Sequence, residues 1–119
     1  MRYFELTEFT CKCGCGRNFM NPDFLERLDR ARELAGIPFA ITSGFRCEKH
    51  NRESGGKLDS AHLSGHAADI ATPTSGIRFR VLKALLDAGF RRIGWNAPKK
   101  FIHVDSDPQK NQDLSLIHI

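Results

Sequence analysis

The chain contains no stretch that approaches the ~20 consecutive apolar residues a membrane-crossing helix needs, so no membrane insertion is expected. Its opening, Met1-Arg2-Tyr3-Phe4-Glu5-Leu6, lacks a basic segment followed by an apolar run, and so does not read as a secretory signal peptide. Charge of one sign does not dominate either: 18 Lys and Arg face 14 Asp and Glu, for a net +4. With 40% hydrophobic residues the chain is too apolar to remain disordered. There is no internal repeat, the basic residues are dispersed, and no aromatic-basic recognition motif is present, so nucleic acid is not an expected partner. At 119 residues there is no room for two full domains, but one core is within reach.

What is present is organised. Asn21-Pro22 reads as an N-cap followed by proline at the first helical position. Phe24, Leu25, Leu28, Ala31, Leu34 and Ala35 then recur at helical spacing until Gly36 ends the run. The segment 37–42, Ile-Pro-Phe-Ala-Ile-Thr, reads as a short buried strand stopping at Ser43-Gly44. From Phe45 to Gly65 no periodicity is sustained, and an irregular stretch of that length in a small domain points to a functional loop. A second strand is expected at 67–71. Thr74 or Ser75 can cap a second helix with Ile77, Val81, Leu82, Leu85 and Leu86 inward and Gly89 as its stop. Strands at 91–95 and 101–105 are joined by a hairpin-sized turn. The tail, ending in the apolar Leu114 to Ile119, has no periodicity, and His118 within it is a poor candidate for chemistry.

The chemically dense segment is Ser60-Ala61-His62-Leu63-Ser64-Gly65-His66-Ala67-Ala68-Asp69, with His103 further along. Imidazole and carboxylate are usual zinc ligands, and three protein ligands leave a fourth position open to substrate. On the expected strands Ala68 and Ile70 point one way and Asp69 the other, while Ile102 and Val104 oppose His103 and Asp105. Neighbouring strands could therefore aim Asp69 and His103 at one point, with His62 closing the triangle from the loop. A charged Asp in so apolar a segment needs a partner, which a metal could supply. Spacing alone does not choose between a metal site and ordinary surface or hydrogen-bonded histidines.

The run Ile41-Thr42-Ser43-Gly44-Phe45-Arg46, then Ser60, His62, Gly65, Ala67 and Asp69, then Gly94-Trp95 and Phe101-Ile102-His103-Val104-Asp105, resembles the M15 family of zinc peptidases. The resemblance is strongest to the D-alanyl-D-alanine carboxypeptidase-like domains of phage lysins and bacterial cell-wall enzymes. The opening, with Phe4, Leu6, Glu8, Phe9, Cys11, Cys13, Gly14 and Cys15, is similar to phage-type members. The resemblance implies a small α+β domain of the hedgehog/D-Ala-D-Ala-peptidase type, helices packed on a small, mostly antiparallel sheet. It spans residues 1–108, followed by an irregular tail over 109–119. It implies that His62, Asp69 and His103 bind Zn2+, that Arg46 lies in the substrate cleft, and that Ser60 orients the loop or a zinc ligand or contacts substrate. Arg46 either holds a peptide carboxylate, for which a planar guanidinium is suited, or forms a salt bridge that fixes the loop.

Several branches of the family place an acidic residue or His three positions before the last zinc-binding histidine; here that position is Lys100. Asp105 either accepts the proton from water or orients the imidazole of a ligand, and His66 is a third candidate. The activity implied is zinc-dependent hydrolysis of amide bonds in the peptide stems or cross-links of peptidoglycan, as carboxypeptidase or endopeptidase. The expected protein is monomeric, made in the cytoplasm, and acts on the wall after release, as a lysin does. The alternative is a non-catalytic wall-binding module that keeps zinc without turnover. Cys11, Cys13, Cys15 and Cys47 suffice for a second metal or for disulfides, or remain free thiols.

Overall fold

The computed structural model describes residues 1–112 throughout and the backbone of residues 115–118. A short 3-10 turn, Leu6–Phe9, precedes α1 (Pro22–Ala35). The Asn21 side chain caps this helix by accepting the Phe24 N–H at 2.9 Å, and Gly36 ends it at a left-handed φ of 68°. Phe24, Leu25, Leu28 and Ala31 are buried, whereas Leu34, expected in the same stripe, is exposed. The first strand, β1, covers only Ile41–Ser43 rather than the whole of 37–42, and it is half exposed. Pro38 has no N–H to give a ladder, and β1 lies at the sheet edge with one neighbour.

Within the stretch expected to be irregular, Glu48–Glu53 forms the short helix α2. Six residues are too few to establish a hydrophobic period in the sequence; the helix starts because the Cys47 sulfur accepts the His50 N–H. Strand β2 (Ala67–Ala71) follows, then α3 (Ser75–Asp87), capped by Thr74, whose hydroxyl accepts the Ile77 N–H at 3.2 Å. Val81, Ala84 and Leu85 face the core, while Leu86 is exposed and not inward as its spacing suggested. Strands β3 (Arg92–Asn96) and β4 (Phe101–Asp105) form the hairpin. Its turn ends on Lys100, which takes a left-handed φ of 54°; the Asn96 side chain accepts the Lys99 N–H within it.

The sheet order is β1-β2-β4-β3, antiparallel throughout, extended by a parallel edge strand β5 (Ser115–His118) beside β3. The tail read as irregular thus contains one strand; Leu114, Ile119 and the side chain of His118 lie outside the described residues. Helices α1 and α3 pack on each other, and α3 on β4, over one face of the sheet. That face carries Ile70, Ile93, Ile102 and Val104, all fully buried with Phe24, Leu28, Leu85 and Phe90. Phe24 and Phe90 meet edge to face at 5.6 Å between centroids. Among the described residues no helix is long and apolar enough to cross a membrane.

Period-two alternation sends the remaining residues of these strands to the opposite face. Asp69 on β2 lies directly across from His103 on β4, and His103 across from Gly94 on β3. Arg92 and Asp105 form the next pair on that face of the hairpin. Side chains opposite each other on one face approach within about 4.5–5.5 Å at Cβ, so this register alone gathers an acid, an imidazole and an ion pair.

Candidate metal centre

His62 comes to the sheet face from the loop before β2. Its backbone N–H donates to Ser60 Oγ at 3.2 Å, and its Nδ1 lies 2.7 Å from the Gly44 carbonyl oxygen. A carbonyl only accepts, so Nδ1 carries the proton and a neutral His62 presents a bare lone pair at Nε2. That Nε2 is buried without a hydrogen-bond partner, 3.3 Å from Asp69 Oδ1. A lone pair facing a carboxylate in a buried site is unfavourable unless a cation lies between them.

Asp69 is buried and shared. Its Oδ1 lies 2.9 Å from His103 Nδ1, and its Oδ2 accepts from the Arg46 guanidinium at 3.3 Å. Burial by itself would raise the Asp69 carboxyl, but the His103 hydrogen bond outweighs it and holds it well below the usual carboxylate range. One donor atom from each of His62, Asp69 and His103 lies within 4.8 Å of the others. Two imidazoles and a carboxylate, one nitrogen of them unpartnered and buried, fit a divalent metal of the zinc type.

His103 Nε2 lies 2.8 Å from Asp105 Oδ2, so its two nitrogens each face a carboxylate. Burial pushes the imidazole down, but Asp105 and Asp69 more than offset it and raise His103 to about 9. Asp105 is itself 1% exposed and accepts Arg92 Nε at 3.0 Å. Burial works to raise its carboxyl, and the hydrogen bond from His103 with the charge of Arg92 holds it low.

These residues line an open cleft of ≈ 490 Å³, whose walls also carry Lys57, Asp59, Ser60 and Lys110. The structure brings together His62, Asp69, His103, Asp105, Arg46 and Ser60, all anticipated from sequence. Arg46 lies in the cleft, with Nε donating to Ser43 Oγ, one terminal nitrogen to Asn51 Oδ1 and the other to Asp69. His66 is not brought in: its Nδ1 pairs with Ser64 Oγ at 3.0 Å and it faces other grooves. Lys100 sits in the hairpin turn, its carbonyl accepting the Thr72 N–H.

Sequence reasoning missed Gly44, Asn51 and Arg92. Gly44 abuts the Phe9 backbone so closely that a Cβ would stand 2.6 Å from Phe9 Cα, and its carbonyl sets the His62 tautomer. Asn51 is buried on α2, donating to the Lys57 carbonyl and accepting from Arg46. Arg92 was legible in principle, since it shares the alternation that puts Gly94 on the His103 face.

Among solved structures the chain is similar to the crystal structure of Serratia marcescens L-Ala D-Glu endopeptidase ChiX. The match has a TM-score of 0.51 at 21% identity over 73% of this chain and 80% of that one, a likeness of fold. No curated protein matches the sequence. The peptidase M15 family profile matches residues 2–105, from before the 3-10 turn to the end of β4, taking in each of the three converging candidate ligands; the chain belongs to the peptidase M15 family.

Proposed function

We propose that this chain is a zinc-dependent peptidase that hydrolyses an amide bond in the peptide stems or cross-links of peptidoglycan. The observation that carries this reading is the buried, unpartnered Nε2 of His62 aimed at Asp69, with His103 beside the same carboxylate on the floor of an open cleft. His62, Asp69 and His103 would hold the ion, three protein ligands being the pattern that leaves room for substrate. When bound, zinc polarises a scissile carbonyl and makes water nucleophilic near neutral pH.

The remaining residues position these three. The Gly44 carbonyl fixes the tautomer of His62, and Ser60 Oγ holds its backbone. Asp105 holds the His103 ring through Nε2, and Arg92 keeps Asp105 ionised. Arg46 turns Asp69 toward the histidines through Oδ2. An orienting role for both is supported by the bonds already made by each nitrogen of Arg46 and by the facing oxygen of Asp105.

Substrate class follows from the rest of the cleft. Gly94, opposite His103, leaves the floor without a side chain, which lets an extended peptide approach the ligands. Lys57 on the wall suits a peptide that carries free carboxylates, as peptidoglycan stems do. The activity named for the Serratia protein makes the L-Ala–D-Glu bond the first to test, and an internal cut is favoured over trimming of a terminal D-Ala.

The test is incubation of zinc-loaded protein with purified peptidoglycan, followed by mass spectrometry of the released peptides. A new amine and carboxyl at one defined bond, absent with His62→Ala, supports the peptidase. Sedimentation with the wall but no cleavage under any zinc loading overturns it in favour of a binding module.

A further inference from the structure

The four cysteines stand away from the cleft, and their placement carries a second site. Cys11, Cys13 and Cys15 alternate along one loop, and Gly14 and Gly16 within it take left-handed φ values of 89° and 78°. These turns curl the loop so that alternate sulfurs face inward, and the Cys11 N–H closes it on the Arg17 carbonyl at 2.8 Å. Cys47 arrives from the opposite side, as the residue that caps α2.

The sulfur positions are specific. Cys11 Sγ lies 3.5 Å from Cys13 Sγ and 3.7 Å from Cys47 Sγ, and Cys13 Sγ lies 3.6 Å from Cys47 Sγ. All four sulfurs lie within 4.8 Å of one another. A tetrahedron of thiolates around zinc, with Zn–S about 2.3 Å, has edges of about 3.8 Å. Disulfides would instead draw the sulfurs into two separate pairs at about 2.05 Å. Nor is this ordinary apolar packing, because Cys13 and Cys15 are exposed yet turn toward the buried Cys11 and Cys47.

The surroundings match a thiolate site. The Cys47 N–H donates to Cys11 Sγ at 3.4 Å, and the His50 N–H donates to Cys47 Sγ at 3.4 Å. Arg17 meets the Cys15 sulfur through both its backbone N–H and its guanidinium. Backbone donors and a cation of this kind orient thiolates and offset the negative charge that four of them leave around a divalent ion.

We propose that Cys11, Cys13, Cys15 and Cys47 form a second, closed tetrathiolate site for a zinc-class divalent ion. Binding releases the thiol protons to solvent and involves no change of oxidation state. With four protein ligands the site has no position for substrate, so its role is structural. It fastens the 11–17 loop to the segment that runs into α2. That segment holds Gly44, which sets His62; Phe45, whose N–H donates to the Phe9 carbonyl at 2.9 Å; and Arg46, which turns Asp69. The ion thus braces one wall of the cleft from behind. The inference stands whether or not the cleft is catalytic.

The test is metal analysis of protein purified under reducing conditions with zinc, together with spectra of the cobalt-substituted protein. Wild type is expected to hold two zinc ions per chain and His62→Ala to hold one. Cobalt in both should give the intense near-ultraviolet thiolate-to-metal charge-transfer band of a sulfur-rich tetrahedral site. Cys15→Ser, at an exposed position, should reduce the charge-transfer intensity and leave the His-site ion in place. Should that variant fail to fold, thiol titration of wild type decides: four thiols protected until chelator is added support the site. A single metal lost entirely in His62→Ala, no charge-transfer band, four freely reactive thiols, or disulfides in the intact mass would each overturn it.

Discussion

Replacing Asp105 by Asn separates an orienting role from a proton-accepting one. The wild-type carboxylate, 1% exposed, accepts His103 Nε2 at 2.8 Å and Arg92 Nε at 3.0 Å through the same oxygen. An amide keeps the shape and one acceptor but removes the charge that both partners face. Loss of such a partner to a metal-binding histidine costs about 10–100-fold in affinity or activity, or about 1.4–2.7 kcal/mol. Arg92 also loses its counter-ion; its side chain is 21% exposed, so water recovers part of the loss. Stability should therefore fall by about 1–2 kcal/mol rather than the ~3–5 of a fully buried broken pair. With unfolding entropy near 2.1 cal/mol/K per residue over 119 residues, that lowers Tm by roughly 4–8 °C. The assays are a chelator-competition titration of zinc, a thermal melt, and the rate of peptide release. Zinc affinity unchanged while turnover falls by more than about 10³-fold would refute the orienting account and make Asp105 the proton acceptor itself.

Four further outcomes are expected. His62→Ala removes the donor with the unpartnered nitrogen, and should lose one bound zinc and all peptide release while retaining native circular dichroism. Zinc supplied to chelator-treated protein at a thousandfold over its dissociation constant should stabilise by about 4 kcal/mol per site, roughly 16 °C in Tm for 119 residues; a melt that does not move contradicts metal binding. Gly44→Ala drives a Cβ to 2.6 Å from Phe9 Cα, so it should cost about 1–3 kcal/mol by overpacking and weaken zinc through the displaced carbonyl. Phe24→Ala, on the far side of the sheet, should cost about 3–5 kcal/mol in denaturant melts without altering zinc stoichiometry.

Local signals carried far along this chain. Asn21-Pro22 and Gly36 bounded α1 because capping and left-handed termination depend on neighbouring residues alone. Alternation in β2 and β4 placed Asp69, His103 and Asp105 off the apolar face for the same reason, since a strand's side-chain direction is set by parity. Helix α2 escaped notice because six residues hold too little periodicity. Leu34 and Leu86 show the limit of a helical stripe: spacing gives its centre, but the neighbouring elements decide how wide it is buried.

The choice of His62, Asp69 and His103 as candidate ligands was thus written in residue type, parity and family resemblance. Their convergence was not, because it needs the antiparallel register that sets Asp69 against His103 and a loop that folds back over the sheet. The same division holds for the orphaned Nε2 of His62, which follows from a carbonyl at Gly44, eighteen residues away along the chain. It holds most fully for the cysteines, first met as four residues with three open readings. Alternation along a loop says nothing of where the fourth sulfur lies; only the fold brings Cys47 to the other three, because non-local distances are set by packing.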